Sequence, residues 1–273
     1  MQTTEIVNFF SKLIEKELGI LYEDHNLYQL QSRLEEVMKA LSVPDLPSLY
    51  KDAQTNNPRF KKQILIDIAT NNETSFFRDP RVFRSLERVM TELIASCEKN
   101  GEKLKIWSVA SSTGQEPLSI AMLLEGILPG KVLSKGYQIY CTDISERVIE
   151  RAKNALYSEL EVQRGLNDQQ LAKYFRKEGE KWRAQSLLTT KLTYEKQNLL
   201  EEFRNCESFN MILCRNVLIY QKIEKKKEIL SRISKALVPG GYLLLGAGES
   251  LIGLSNDFEQ EVIDGAVFYR KKR

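Results

Sequence analysis

The stretch that decides the fold is LKIWSVASSTGQEPLSIAMLL, Leu104 to Leu124. Its apolar run through Ile106 and Val109 reads as a buried parallel strand. Five small residues, Ala110, Ser111, Ser112, Thr113 and Gly114, then bend the chain. Pro117 suits the first turn of a helix, where its missing N–H is not needed. Strand, tight loop and helix in this order leave the backbone and the positive helix end open to a ligand.

A second strand from Tyr137 to Thr142 ends in Asp143, 29 residues after Gly114. In doubly wound sheets ligands bind beyond the carboxyl ends of the strands, and an acidic residue there can accept both hydroxyls of a ribose. The other reading of Asp143 is a helix-capping aspartate ahead of a helix over Ser145 to Leu156. The loop holds one glycine, so it is not the G-x-G-x-x-G that a pyrophosphate requires. That favours S-adenosylmethionine, which has a ribose and no phosphate, over a nicotinamide cofactor.

At 273 residues with 42% hydrophobic content, the chain can bury a substantial core. No run approaches the ~18–20 apolar residues of a membrane span, and the first residues, with Glu5 ahead of a mixed amphipathic stretch, do not read as a signal peptide. A cytoplasmic protein without direct membrane insertion is expected. Cys97, Cys141, Cys206 and Cys214 form no C-x-x-C pair and read as buried free thiols. His25 is the sole histidine, which argues against a His-based triad or a multi-histidine site, and no metal is expected. A net charge of +3 is too small to argue for nucleic acid. Residues 1–80 carry nine basic against twelve acidic side chains and the remainder 31 against 25. The excess sits largely in Lys225 to Lys227 and the Arg270 to Arg273 tail, which read as solvated surface.

Apolar residues at helical spacing in Ile6 to Leu18 and Leu27 to Leu41, a short helix around Leu49 and another over Phe60 to Ala69 make residues 1–80 a small all-helical domain and linker. The polar segment Asn71 to Pro80 carries two aromatics. It is either a helix end with two core anchors, or a segment pinned by Phe76 and Phe77 that turns Thr74 and Arg78 toward the cofactor domain, residues 81–273. Within that domain, residues 157–197 read as an insertion. It holds a short helix over Leu171 to Phe175 and short antiparallel strands across Trp182 to Leu188 and Leu192 to Tyr194. A strand over Phe209 to Leu213 ends at Arg215, which either faces the ligand crevice or makes a surface salt bridge. Lys222 to Leu237 reads as a helix stopped by Pro239-Gly240-Gly241, with Tyr242 to Leu245 as the next strand. Phe258 to Tyr269, with Asp264-Gly265 as its turn, closes the chain. The fold class is therefore α/β with a largely parallel sheet covered on both faces.

Five segments in this order resemble the chemotaxis receptor methyltransferases, the CheR family. They are N-x-T-x-F-F-R at Asn72 to Arg78, S-T-G-x-E-P-x-S-I-A at Ser112 to Ala121, T-D-I at Thr142 to Ile144, C-R-N-V-L-I-Y at Cys214 to Tyr220, and P-G-G-x-L-x-L-G-x-x-E-S-L at Pro239 to Leu251. The resemblance implies a Rossmann-like S-adenosylmethionine methyltransferase domain behind the helical one. It also implies methyl transfer to glutamate side chains on the cytoplasmic helices of membrane chemoreceptors, with S-adenosylhomocysteine as product and a monomeric enzyme. Carried over by motif, Thr74 and Arg78 hold the cofactor's amino-acid end, with Asn72 and Glu116 nearby. Asp143 holds the ribose, Asn198 and Leu199 border the adenine, and Arg215, Asn216 and Tyr220 face the acceptor. Arg215 and Tyr220 are the catalytic candidates, as positioning groups, and Arg215 and Asn216 also count among the cofactor-binding residues. The other readings are a methyltransferase of the same fold with a different acceptor, and a non-enzymatic module that senses the cofactor.

The chain departs from this family twice. Its second helix reads Arg33-Leu34-Glu35-Glu36-Val37-Met38-Lys39, where many relatives are rich in arginine. The insertion lacks the glycine-rich loop of members that tether to a receptor's C-terminal pentapeptide, and Glu161 to Leu166 resembles the tether-independent branch. Arg33, Lys39, Arg59, Lys61 and Lys62 are the cations expected to offset Glu35 and Glu36.

Overall fold

The central sheet is built from β1 (Leu104–Val109), β2 (Tyr137–Asp143), β6 (Leu192–Lys196), β7 (Phe209–Cys214), β8 (Leu237–Leu245), β9 (Phe258–Ile263) and β10 (Ala266–Lys271). Its order is β6-β2-β1-β7-β8-β10-β9, in a computed structural model that describes residues 3–22, 27–55, 57, 60–130, 132–203 and 208–273. The first five strands run parallel, and β10 pairs antiparallel with β8 and β9. The chain steps outward from β1 through β2 to β6, then returns to the other side of β1 for β7 and β8. The crevice between the ends of β1 and β7 is therefore the topological switch point, where such sheets bind ligands.

Helices cover both faces: α5 (Pro80–Asn100), α6 (Gln115–Ile127), α7 (Glu146–Asn154) and α11 (Ile223–Ala236), counted after the four of the N-terminal unit, α1 (Thr3–Leu18), α2 (Leu27–Leu41), α3 (Leu46–Gln54) and α4 (Lys62–Ala69). The N-terminal unit has its own core, in which Phe10 and Ile14 of α1 meet Leu30, Leu34, Leu49 and Leu65. Burying each of these side chains contributes about 1.5–3 kcal/mol to holding the helices together. Cys97, Cys141 and Cys214 are buried free thiols, and burial pushes the last two well above the ordinary thiol range; Cys206 and His25 lie outside the described residues. No described helix is long and apolar enough to cross a membrane.

Three details differ from the expectations above. Leu192–Lys196 is a parallel strand of the main sheet, in register with β2 from Ile139↔Leu192 to Asp143↔Lys196. The small antiparallel sheet is β3 (Leu156–Ser158), β5 (Lys181–Ala184) and β4 (Phe175–Glu178), with the short helices α8 (Glu159–Gln163), α9 (Asp168–Tyr174) and α10 (Ser186–Thr189) around it. Leu188 belongs to α10 and not to a strand. Finally, Pro239-Gly240-Gly241 lies inside β8, across a register shift against β7. Gly241 is needed there because a Cβ would come within 2.9 Å of the Asn210 carbonyl oxygen. The closing hairpin forms as expected, with Asp264 (φ 47°) and Gly265 (φ 83°) both left-handed, the geometry of a two-residue turn.

Candidate active site

At the switch point a cavity encloses about 1100 Å³, part of it open to solvent. Ala110 to Ser112 after β1, Asp143 at the end of β2, Gln197 to Leu199 after β6 and Arg215 to Val217 after β7 form its walls. The linker residues Asn71 to Ser75 and Arg78 cover it, and Leu18 and Ile20 reach in from the helical unit. All ten residues singled out from sequence, Asn72, Thr74, Arg78, Glu116, Asp143, Asn198, Leu199, Arg215, Asn216 and Tyr220, line this one cavity. Five non-glycine residues on or beside it have left-handed backbone: Phe77, Asp79, Ala110, Ser112 and Asn216, with φ from 46° to 63°. Each such residue costs roughly 1–3 kcal/mol and persists only where its surroundings impose it.

Asp143 is buried, 6% exposed, and its two oxygens accept the N–H of Ser112 (2.9 Å) and of Ser145 (3.0 Å). The N-cap of α7 is Ser145, whose hydroxyl accepts the Val148 N–H, so Asp143 is not the capping residue. Its carboxylate ties the loop after β1 to the loop after β2, and the residue lines the cavity. Burial raises its pKa, against the lowering effect of N–H bonds from Ser145, Ser112 and Ile144, and the nearby Asp67 adds to the rise. A raised folded pKa means that ionised Asp143 costs stability at neutral pH and that this cost is relieved as pH falls. Ligand binding has the opposite sense, because protonation removes an acceptor. Affinity for S-adenosylhomocysteine is expected to decline as pH is lowered from neutral in the wild type and to change less in Asp143→Ala, as titration calorimetry would report.

The linker is held by its aromatics. Phe76, 1% exposed, packs edge-on against Tyr157 (5.0 Å) and Phe175 (5.5 Å), and Phe77 packs against Phe83 (5.0 Å). The pinned reading of this segment is thus the observed one, with Thr74 and Arg78 on the cavity side. Arg78 donates to the Glu73 carbonyl (3.2 Å). The insertion clamps the segment from outside: Arg164 pairs with Glu73 (2.7 Å), and Gly165 lies so close that a Cβ would stand 2.0 Å from the Phe76 carbonyl oxygen.

Arg215 does not make a surface salt bridge, because its side chain is 2% exposed. Its terminal nitrogens bond Asp79 (2.6 Å), Glu116 (3.1 Å) and the Arg78 carbonyl (3.0 Å). Glu116 in turn accepts from the Ser108 hydroxyl at 2.8 Å. Arg215 Nε and the Ser111 hydroxyl are buried without a partner among the described residues, and both residues line the cavity. Unmet polar atoms of this kind cost about 1–3 kcal/mol each. With the Asp143 carboxylate and the Arg78 cation they form a donor and acceptor set that fits S-adenosylmethionine. The Tyr220 hydroxyl accepts from the Asn71 amide at 3.3 Å.

Leu18, Ile20 and Gln197 escaped the sequence reading. The available signal was Gly19, left-handed at φ 70° after α1, which ends that helix and turns the chain into the cleft. Gln221 fixes the turn by donating to the Leu18 carbonyl (2.9 Å), and Asn198 donates to the Glu17 carbonyl (3.0 Å).

Residues 72–267 match the family model described as CheR methyltransferase, SAM binding domain. The chain is 35% identical over 267 residues to chemotaxis protein methyltransferase 1 of Pseudomonas aeruginosa, covering 96% of each. It is 35% identical over 272 residues to the chemotaxis protein methyltransferase of Vibrio anguillarum, covering 96% of this chain and 95% of that one. For the Escherichia coli chemotaxis protein methyltransferase the figures are 31% over 258 residues, 91% and 85%. With a cleft suited to the cofactor and a match over nearly its whole length, the chain belongs to the CheR family of S-adenosylmethionine-dependent chemotaxis methyltransferases.

Proposed function

We propose that this enzyme esterifies glutamate carboxylates on the cytoplasmic helices of membrane chemoreceptors, acting as a cytoplasmic monomer. The observation that supports this reading is the gathering of a ribose acceptor (Asp143), an anion-holding segment (Thr74 and Arg78) and an acceptor-side hydroxyl (Tyr220) around one cavity. When bound, S-adenosylmethionine supplies a sulfonium methyl group and leaves as S-adenosylhomocysteine. A glutamate side chain has a reference pKa near ~4.3, so at neutral pH the acceptor is already a nucleophile and no base is required. The chain's work is to strip water from that carboxylate and hold one oxygen in line, about 3–3.5 Å from the carbon it attacks.

Tyr220 donates to the acceptor while the Asn71 amide occupies a lone pair of its hydroxyl. Arg215 has its charge balanced by Asp79 and Glu116, so it shapes the cleft floor and offers the acceptor at most its Nε. This avoids a tight ion pair, which would stabilise the ground state more than the charge-dispersed transition state. Methyl transfer from labelled cofactor into receptor fragments, with the label released by mild base, tests the reading. Label on another residue type, or none, overturns it.

The Arg78 guanidinium serves the cofactor's carboxylate. Arg78→Ala is expected to lower affinity for S-adenosylhomocysteine by about 1.5–3 kcal/mol, the scale of a charge-assisted bond. An analogue lacking that carboxylate should bind wild type and mutant alike. If it distinguishes them, the contact is wrongly assigned.

Receptor docking rests on fewer cations than the sequence offered. Arg33 is committed to the Tyr22 hydroxyl (2.8 Å) and the Ala69 carbonyl, Lys62 pairs with Glu17 (2.6 Å), and Arg59 lies outside the described residues. Lys39 and Lys61 are exposed, with no ion pair among the described residues. Reversing both to glutamate is expected to raise the KM for receptor several-fold without changing cofactor affinity, and wild-type methylation should weaken as salt screens these charges. A receptor lacking a terminal pentapeptide should be methylated as readily as one carrying it. Salt-insensitive kinetics or strict pentapeptide dependence would move docking elsewhere, onto the insertion.

A further inference from the structure

Glu249 belongs to the last of the five shared segments, yet it lines no part of the cavity. Its carboxylate instead collects four backbone amides. One oxygen accepts from Asn216 (2.8 Å) and Gly246 (2.7 Å), the other from Val217 (3.0 Å) and Ile219 (3.1 Å). Three of these amides belong to the turn that leads from Arg215 to Tyr220. Converging N–H groups of this kind form an anion-binding concavity. Without an acceptor at its centre the four donors would be left unmet, and the left-handed Asn216 (φ 59°) would lose what imposes it. Gly246 completes the clamp, since a Cβ there would stand 2.8 Å from the Asn216 nitrogen and 2.8 Å from a Glu249 oxygen.

We propose that Glu249 is the positioning residue of the acceptor side: it serves as an internal anion that freezes the 216–219 turn and so sets where the Tyr220 hydroxyl points. The role rests on the reading of Tyr220 as the acceptor contact. Most of the cofactor's expected contacts, at Asp143 and along Asn72 to Arg78, lie on other loops, so the clamp should act on turnover more than on cofactor binding.

The test uses the full-length enzyme and compares Glu249→Gln, Gly246→Ala and Tyr220→Phe for kcat, for S-adenosylhomocysteine affinity and for thermal midpoint. Glutamine keeps the volume but turns a donor toward two of the amides. Gly246→Ala keeps the charge and displaces the clamp. Both are expected to lower kcat roughly ten- to a hundredfold, the scale of a misplacement near 1 Å, with cofactor affinity held within about threefold. Should Glu249→Gln not fold, Gly246→Ala carries the same comparison. Unchanged kcat in the folded variants overturns the role, as does a loss of kcat matched by an equal loss of cofactor affinity. A fully active Tyr220→Phe overturns the acceptor reading and the positioning role with it. An impaired Tyr220→Phe beside a fully active Glu249→Gln overturns the positioning role alone.

Discussion

Asp143→Ala is expected to weaken binding of S-adenosylhomocysteine by about 3 kcal/mol, roughly a hundredfold, while the protein stays folded. Two ribose hydroxyls lose a charged acceptor, and bonds to charged groups contribute about 1.5–3 kcal/mol each. Part of that is recovered because the hydroxyls return to water. Folding is affected less, for two opposing reasons. The Ser112 and Ser145 amides lose their acceptor, but a carboxylate whose ionised form burial disfavours is also removed. Calorimetry paired with thermal denaturation separates the two effects. Unchanged affinity would take Asp143 out of the binding site, and a collapse of the thermal midpoint would make it a folding residue.

Gly165→Ala is the substitution expected to cost most stability. The backbone there has φ of 120°, which L side chains rarely adopt, and the new methyl would overlap the Phe76 carbonyl at 2.0 Å. Carbonyl and turn must separate, at about 3 kcal/mol from strain and overpacking together. For a chain of 273 residues that corresponds to a drop of about 5 °C in Tm. Because Phe76 sits between Thr74 and Arg78, the displacement should reach the cofactor as well, and a roughly tenfold loss of S-adenosylhomocysteine affinity is expected beside the lower Tm. A loss of Tm alone would show that the insertion braces the fold without bearing on the site, and an unchanged Tm would show that the contact yields freely.

The sequence by itself determined whatever depends on local order. Apolar periodicity placed the helices of the first 70 residues, the run and bend at Leu104 to Gly114 placed β1 and the cofactor loop, and Asp264-Gly265 placed the last turn. Strand ends and motif residues then nominated ten side chains, which the fold brings to one cavity. These features are legible because a residue's face on a strand or helix follows from its spacing.

Tertiary structure alone decided which polar groups meet across the chain. Leu192–Lys196 is partly exposed and alternates weakly, so its sequence does not say whether it pairs within the insertion or along β2. Arg215 was visible as a charge at a strand mouth, but its partners at Asp79 and Glu116 lie about 100 residues or more away. Arg33 and Lys62 looked available for docking until Tyr22 and Glu17 took them. Glu249 is a motif residue with no role legible from its position until the 216–219 amides close around it. A hydrogen bond needs atoms within about 3 Å, and whether two distant segments come that close is set by how the elements cross and pack.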